Sequence, residues 1–156
     1  MMKVGITGSL ASGKTTASKI LSAGRGPLFS ADAVVKKLYK KNKFQVSLSK
    51  KFNIKKNGNI KNILKKRILK NVSTIKTLEK IIHPLVRAEM KKFTRSNNGK
   101  KLLFYEIPLL IESKLIKYFD VIIFISAKKN TRLKRFIAKG GNKFFFNILN
   151  AKQVSD

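Results

Sequence analysis

The sequence predicts an α/β fold built on a mainly parallel sheet. Three observations carry that prediction. Short apolar runs recur at residues 3–7, 101–107 and 120–126, separated by stretches whose apolar residues follow helical spacing. The last run, DVIIFIS, is continuously apolar and β-branched, as expected of a strand covered on both faces. Strands and helices alternate along the chain, the order that parallel strands with crossover helices require.

Each element has a local reason. Residues 3–7 form the first strand, and Gly8 and Gly13 punctuate the loop after it. Residues 15–22 read as a helix with Ala17, Ile20 and Leu21 on one face; Gly24, Gly26 and Pro27 close it. PLFS at 27–30 reads as the second strand, and Asp32 as a cap for the helix beginning AVVKKLY. KKNGN at 55–59 reads as a turn. A helical stretch spans about 60–93 with a break near 71–74, then come the strands KLLFYEI and DVIIFIS. NTRLKRFIAK and FFFNILNAK read as two further helices. The segment of about 40–95 has no strand pattern and reads as a helical insertion over the edge of the sheet where ligands bind in such folds.

Composition bounds the function. A chain of 156 residues suits one domain, 1–156, and its 43% hydrophobic content is that of a folded protein. It has no cysteine, so disulfides and thiolate metal sites are excluded. No signal peptide or membrane-length apolar run is evident, so a soluble, cytoplasmic protein is expected. Lys and Arg total 36 against 7 acids, a formal charge of +29, and only six of the 36 are Arg. The lysines are spread along nearly the whole chain and no interleaved aromatic–basic motif accompanies them, so they read as solvated faces rather than a nucleic-acid site. No specific nucleic acid and no membrane is expected as a partner, and the oligomeric state is open.

The most informative stretch is GSLASGKT at 8–15, which matches G-x-x-x-x-G-K-[ST] at every fixed position, with a strand before it and a helix after. The glycines let the backbone curl until successive N–H groups point at phosphate oxygens, and the helix N-terminus adds partial positive charge. Gly8, Ala11, Ser12, Gly13, Lys14, Thr15 and Thr16 are therefore the expected nucleotide-binding residues, with Lys14 reaching the β- and γ-phosphates and the Thr15 hydroxyl on Mg2+. Asp32, following the second strand, is placed to accept a proton from a substrate hydroxyl or to hold Mg2+ through water; a plain helix cap is the other reading. Neither later strand is read as ending in the acid of an ordinary Walker B sequence, which favours a small-molecule kinase over a motor or GTPase.

Taken together, ITGSLASGKTT, FSADAVVKKLY, IIHPLVRAEM, EIPLLIES and TRLKRFIAKGG resemble, in order and spacing, the dephospho-coenzyme A kinase family. The resemblance implies a three-layer P-loop kinase fold with a mainly parallel sheet and a helical substrate-side insertion. It implies transfer of the ATP γ-phosphoryl to the ribose 3′-hydroxyl of dephospho-coenzyme A, the last step of coenzyme A biosynthesis, with Mg2+ as cofactor. It makes Asp32 the base or orienting carboxylate, and places His83, Pro84 and Arg87 in the substrate-side helices. Leu110 and Glu112 would shape the acceptor pocket. Arg135 would begin a lid at about 135–147, making Lys14, Asp32 and Arg135 the catalytic group. On the residues alone, His83 before Pro84 reads as a helix-kink residue, Arg87 as a solvent-facing group, Glu112 as a cap or the partner of one of the many lysines, and Arg135 as one more surface cation beside Arg132 and Lys134.

Three features depart from the family pattern. Ser30 stands where members often carry a second Asp, the lid offers Lys139 and Lys143 where further arginines are usual, and the chain ends at Asp156, before the family's final strand and helix. The alternatives left open are another P-loop nucleotide or metabolite kinase, and an inactive truncated remnant that binds nucleotide or RNA.

Overall fold

The computed structural model describes residues 1–54, 59–112, 115–151 and 153. The elements run β1 (Met2–Gly8), α1 (Lys14–Ser22), β2 (Leu28–Ser30), α2 (Ala31–Lys40), α3 (Asn42–Phe52), α4 (Ile60–Lys70), α5 (Ser73–Ser96), β3 (Leu102–Glu106), a 3-10 turn (Ile116–Tyr118), β4 (Val121–Ile125), α6 (Lys129–Ala138) and α7 (Lys143–Asn150). The four strands pair in parallel in the order β2-β3-β1-β4. This is the α/β architecture that the alternating pattern predicts. The expected turn at 55–59 falls, except for Asn59, outside the described residues.

The chain divides into two compact units. One comprises Met1–Asp32 and Met90–Asp156, and the other Ala33–Glu89. In the first, Val4, Ile6 and Phe104 of the central strands are buried, with Leu21, Leu28, Ile123 and Ile125 packed on them. Tyr105 is fully buried, with its ring centroid 5.3–5.9 Å from those of Phe29, Phe93 and Phe119, and its hydroxyl is 2.8 Å from Thr94 Oγ1. Among its described residues, the regular elements of the second unit are all helices. Leu38, Phe44, Leu48, Ile54, Ile60 and Leu64 form its core, all but Ile54 contributed by the apolar stripes of its helices. Asn59 starts α4 by accepting from the Asn62 N–H, as its polar side chain at an N-cap favours.

Two expectations need correction. The DVIIFIS run predicts a strand covered on both faces, but β4 is an edge strand among the described residues, with Val121 and Phe124 exposed. Its β-branched residues satisfy strand propensity, and that propensity does not specify whether the strand ends up central or at an edge. Asp32 is not in front of its helix. It lies within the first turn of α2, where its charge complements the helix dipole. No helix among the described residues is long and apolar enough to cross a membrane.

Candidate active site

The parallel register sets Ile6, Glu106 and Ser30 at one level of the sheet. The residues that follow β1, β2 and β3 therefore emerge together at the carboxyl edge, the ligand-binding edge of an open α/β sheet.

The loop after β1 is shaped by residues that its sequence makes necessary. At Gly8 φ is +143°, and a Cβ there would lie 2.0 Å from the Ile125 carbonyl oxygen, so only glycine fits. Gly13, at φ +107°, forms the N-cap of α1. Ala11 takes φ 60° without being glycine, a conformation costing about 1–2 kcal/mol. No side chain caps the start of α1, and its first turn carries no acid, which suits its N–H groups to an anion. Ser12 is buried and its Oγ has no hydrogen-bond partner. A buried hydroxyl without a partner is costly, and a loop that receives a phosphate oxygen is where such a cost is met. Thr16 follows on the exposed side of α1.

Lys14 is folded back over this loop. Its Nζ donates to the Gly8 and Ser9 carbonyls, at 2.8 Å each. Burial pulls its ammonium below the ordinary lysine value; the carboxylates of Asp32, Glu106 and Glu112 oppose that shift, while Arg132 adds to it. Next to it, the Thr15 hydroxyl donates to Glu106 Oε1 at 2.5 Å. Glu106 is the last residue of β3 and is only 1% exposed. This corrects the reading that no later strand ends in an acid. The strand within the run KLLFYEI does end in one, Glu106, hidden because the apolar stretch continues past it into Ile107. A buried carboxylate at the end of the strand neighbouring β1, bonded to the loop threonine, supplies two hard oxygen donors side by side, the donor chemistry that Mg2+ takes. Among the described residues no three His, Cys, Asp or Glu side chains cluster as a metal cage. Mg2+ bound with substrate phosphates usually needs only one or two protein carboxylates.

Arg135, in the last turn of α6, is exposed, and its NH1 donates to the Ser12 carbonyl at 3.0 Å, which brings its guanidinium to the loop. Arg132, read from the sequence as one of its surface neighbours, is buried at 6% exposure and donates to Ala127, Leu10 and Asn150. A sequence signal accompanies it: Arg132 lies four positions before Phe136, which places the two on one face of α6. Leu110 is fully buried, near enough that a Cβ on Gly5 would meet its Cδ1 at 2.7 Å; Glu112 is exposed. His83, Pro84 and Arg87 belong to the helical unit, on α5, where Pro84 sits inside the helix and lacks the N–H that would bond the Lys80 carbonyl. The sheet unit thus brings together Gly8, Ala11, Ser12, Gly13, Lys14, Thr15, Glu106 and Arg135, with Asp32 and Glu112 close enough to act on the charge of Lys14.

The sequence profile of the dephospho-CoA kinase family matches residues 2–153. The chain belongs to that family. The dephospho-CoA kinase of Bartonella quintana is 37% identical over the whole of this chain and 83% of its own length. That of Rickettsia prowazekii is 36% identical, over 96% of this chain and 77% of its own. Among solved structures, TT1252 from Thermus thermophilus superposes with a TM-score of 0.77 at 25% identity, over 98% of this chain and 80% of the other. A dephospho-CoA kinase from Campylobacter jejuni shares the fold at a TM-score of 0.56 and 22% identity, covering 88% of this chain and 95% of its own. Dephospho-CoA kinases are ATP-dependent transferases of coenzyme A biosynthesis. The resemblance read from the ordered motifs and the P-loop fold it implied therefore agree with the family match, and another class of P-loop kinase is not favoured.

Proposed function

We propose that this chain transfers the γ-phosphoryl of ATP to the ribose 3′-hydroxyl of dephospho-coenzyme A at the carboxyl edge of β1 and β3, as a cytoplasmic enzyme. The observation that carries this reading is the loop itself: a P-loop fold with a buried unpartnered Ser12 hydroxyl, an uncapped helix start and Lys14 held at the loop carbonyls. In this reading the loop N–H groups of residues 8–16 bind the phosphates, and Lys14 leaves the Gly8 and Ser9 carbonyls to meet the β- and γ-oxygens. Thr15 and Glu106 would hold Mg2+, which when bound neutralises phosphate charge. Asp32 accepts the proton of the attacking hydroxyl, or orients it. Arg135 shifts from the Ser12 carbonyl to the phosphoryl oxygens as the lid of about 135–147 closes and excludes water. His83, Pro84 and Arg87 in the helical unit serve acceptor binding; in the sheet unit, Leu110 and Glu112 shape the acceptor pocket.

Phosphoryl transfer asks little covalent chemistry of a protein, so these groups work by positioning and by stabilising charge. The test is transfer from Mg-ATP to dephospho-coenzyme A by the purified chain, with Lys14→Ala as control and nucleoside monophosphates as competing acceptors. Transfer to dephospho-coenzyme A that Lys14→Ala abolishes supports the reading. A folded chain that phosphorylates only a nucleoside monophosphate, or neither acceptor, overturns it.

A further inference from the structure

One residue of the phosphate loop, Leu10, is held from outside at both of its backbone polar groups. The Leu10 N–H donates to Gln153 Oε1 at 2.5 Å, and the Leu10 carbonyl accepts from Arg132 NH1 at 3.5 Å. These partners lie 143 and 122 positions away in sequence. The residue after Leu10 is Ala11, the loop's only non-glycine at positive φ. Neither partner is a casual contact. Arg132 is 6% exposed, its Nε donates to the Ala127 carbonyl at 2.9 Å and its NH1 to Asn150 Oδ1 at 2.6 Å. Its guanidinium stands 5.8 Å from the ring centroid of Phe146, itself fully buried. One planar group thus joins the start of α6, the end of α7 and the phosphate loop.

Composition sharpens the point. This chain uses lysine for 30 of its 36 basic residues. Where only charge is needed, lysine serves. The rigid fork of arginine is what several acceptors at fixed angles require. Of the six arginines, Arg132 and Arg135 both donate to carbonyls of the phosphate loop, on Leu10 and Ser12. Arg135 is exposed, whereas Arg132 is buried with Phe146 and Asn150 against its guanidinium.

We propose that Arg132 is a positioning residue: with Gln153 it braces Leu10, keeps Ala11 in its left-handed conformation, and so preorganises the loop for the nucleotide. Burying a guanidinium costs several kcal/mol unless its donors are matched, and the strain at Ala11 adds to what the surrounding structure must hold. A loop that relaxes at Ala11 turns its N–H groups away from the phosphates. Affinity for ATP then falls by the fraction of molecules still in the competent shape. The proposal rests on the reading of this loop as the nucleotide site.

The test measures equilibrium binding of ATP and, separately, of dephospho-coenzyme A, in the full chain. Arg132→Lys keeps the charge and loses the fork. It is expected to weaken ATP binding ~10-fold, the scale of one lost charge-assisted hydrogen bond, and to leave dephospho-coenzyme A binding within about 2-fold. Gln153→Ala, acting on the other side of Leu10, should weaken ATP in the same direction and serves if Arg132→Lys does not fold. The distinctive result is suppression. Glycine adopts positive φ freely, so Ala11→Gly should tighten ATP binding and recover most of the loss in Arg132→Lys. Unchanged ATP affinity in Arg132→Lys and Gln153→Ala overturns the proposal. So does a loss that Ala11→Gly does not relieve, which would make Arg132 a support of the fold alone. Failure of the unaltered chain to bind ATP at all would instead overturn the nucleotide-site reading beneath it.

Discussion

The sheet unit and the helical unit bury polar groups in opposite ways. Of the buried polar or charged residues described, Thr7, Ser9, Ser12, Ser18, Ser22, Glu106 and Arg132 lie in the sheet unit, and only Ser49 in the helical one. The bonds that fix the site span the chain, with Thr15 to Glu106 and Arg135 to Ser12 separated by 91 and 123 positions. In the helical unit, Arg67 reaches back only 15 positions to the Phe52 carbonyl, and Gln45 only 6 to the Tyr39 carbonyl. Its stability comes from apolar stripes, which tolerate exchange as long as volume and pattern persist. Buried polarity is expensive, and here it is concentrated where the chemistry is.

The difference can be tested from either side. The largest effect on stability is expected in the helical core: Leu48→Ala, at a fully buried position, should destabilise by about 2–5 kcal/mol in denaturant unfolding. At temperatures where that variant stays folded, ATP affinity should hold; a parallel loss of ATP binding would break the distinction between the units. Lys14→Ala is the converse, costing ~100-fold or more in phosphoryl transfer, the scale of one removed electrostatic stabiliser. Its unfolding midpoint should move little.

Glu106→Gln keeps an acceptor for the Thr15 hydroxyl but loses the charge. It should raise the Mg2+ concentration needed for half-maximal transfer ~10-fold, the lower end of what altering a metal site's partners costs. An unchanged Mg2+ requirement would remove Glu106 from the metal site.

A smaller effect comes from pH. The folded-state value of Lys14 is lowered, so between it and the ordinary lysine value of 10.5 the unfolded chain holds more protons. Stability from this group therefore rises with pH across that window and is lowest below it. The stability of the unaltered chain relative to Lys14→Met, which cannot titrate, should grow as pH climbs toward 10.5. A difference that shrinks would show that Lys14 is held by its carboxylate neighbours rather than penalised by burial. The smallest effect is expected at an exposed lysine of the helical unit. Lys61→Ala should change stability by under about 0.5 kcal/mol and leave ATP binding unaltered.

Much of this was legible in the chain itself. The strand–loop–helix of residues 3–22 is local chemistry: alternation of period, glycines where φ must be positive, and a lysine and hydroxyl at fixed offsets. The break between α4 and α5 near residues 71–74 was visible for the same reason, as Asn71 and Ser73 interrupt the apolar period there. By contrast, Glu106 goes unread inside the apolar run KLLFYEI, and Arg132 reads as a cation beside others. Their roles depend on which groups face them, and those groups lie 91 and more residues away. The sequence by itself determined the α/β alternation, the phosphate loop and the family. Only the tertiary structure decided that β4 lies at an edge, that Glu106 meets Thr15, and that Arg132 is buried against Leu10. Periodicity and turn chemistry act over a few residues; strand order and the pairing of buried charges are set by chain closure over a hundred.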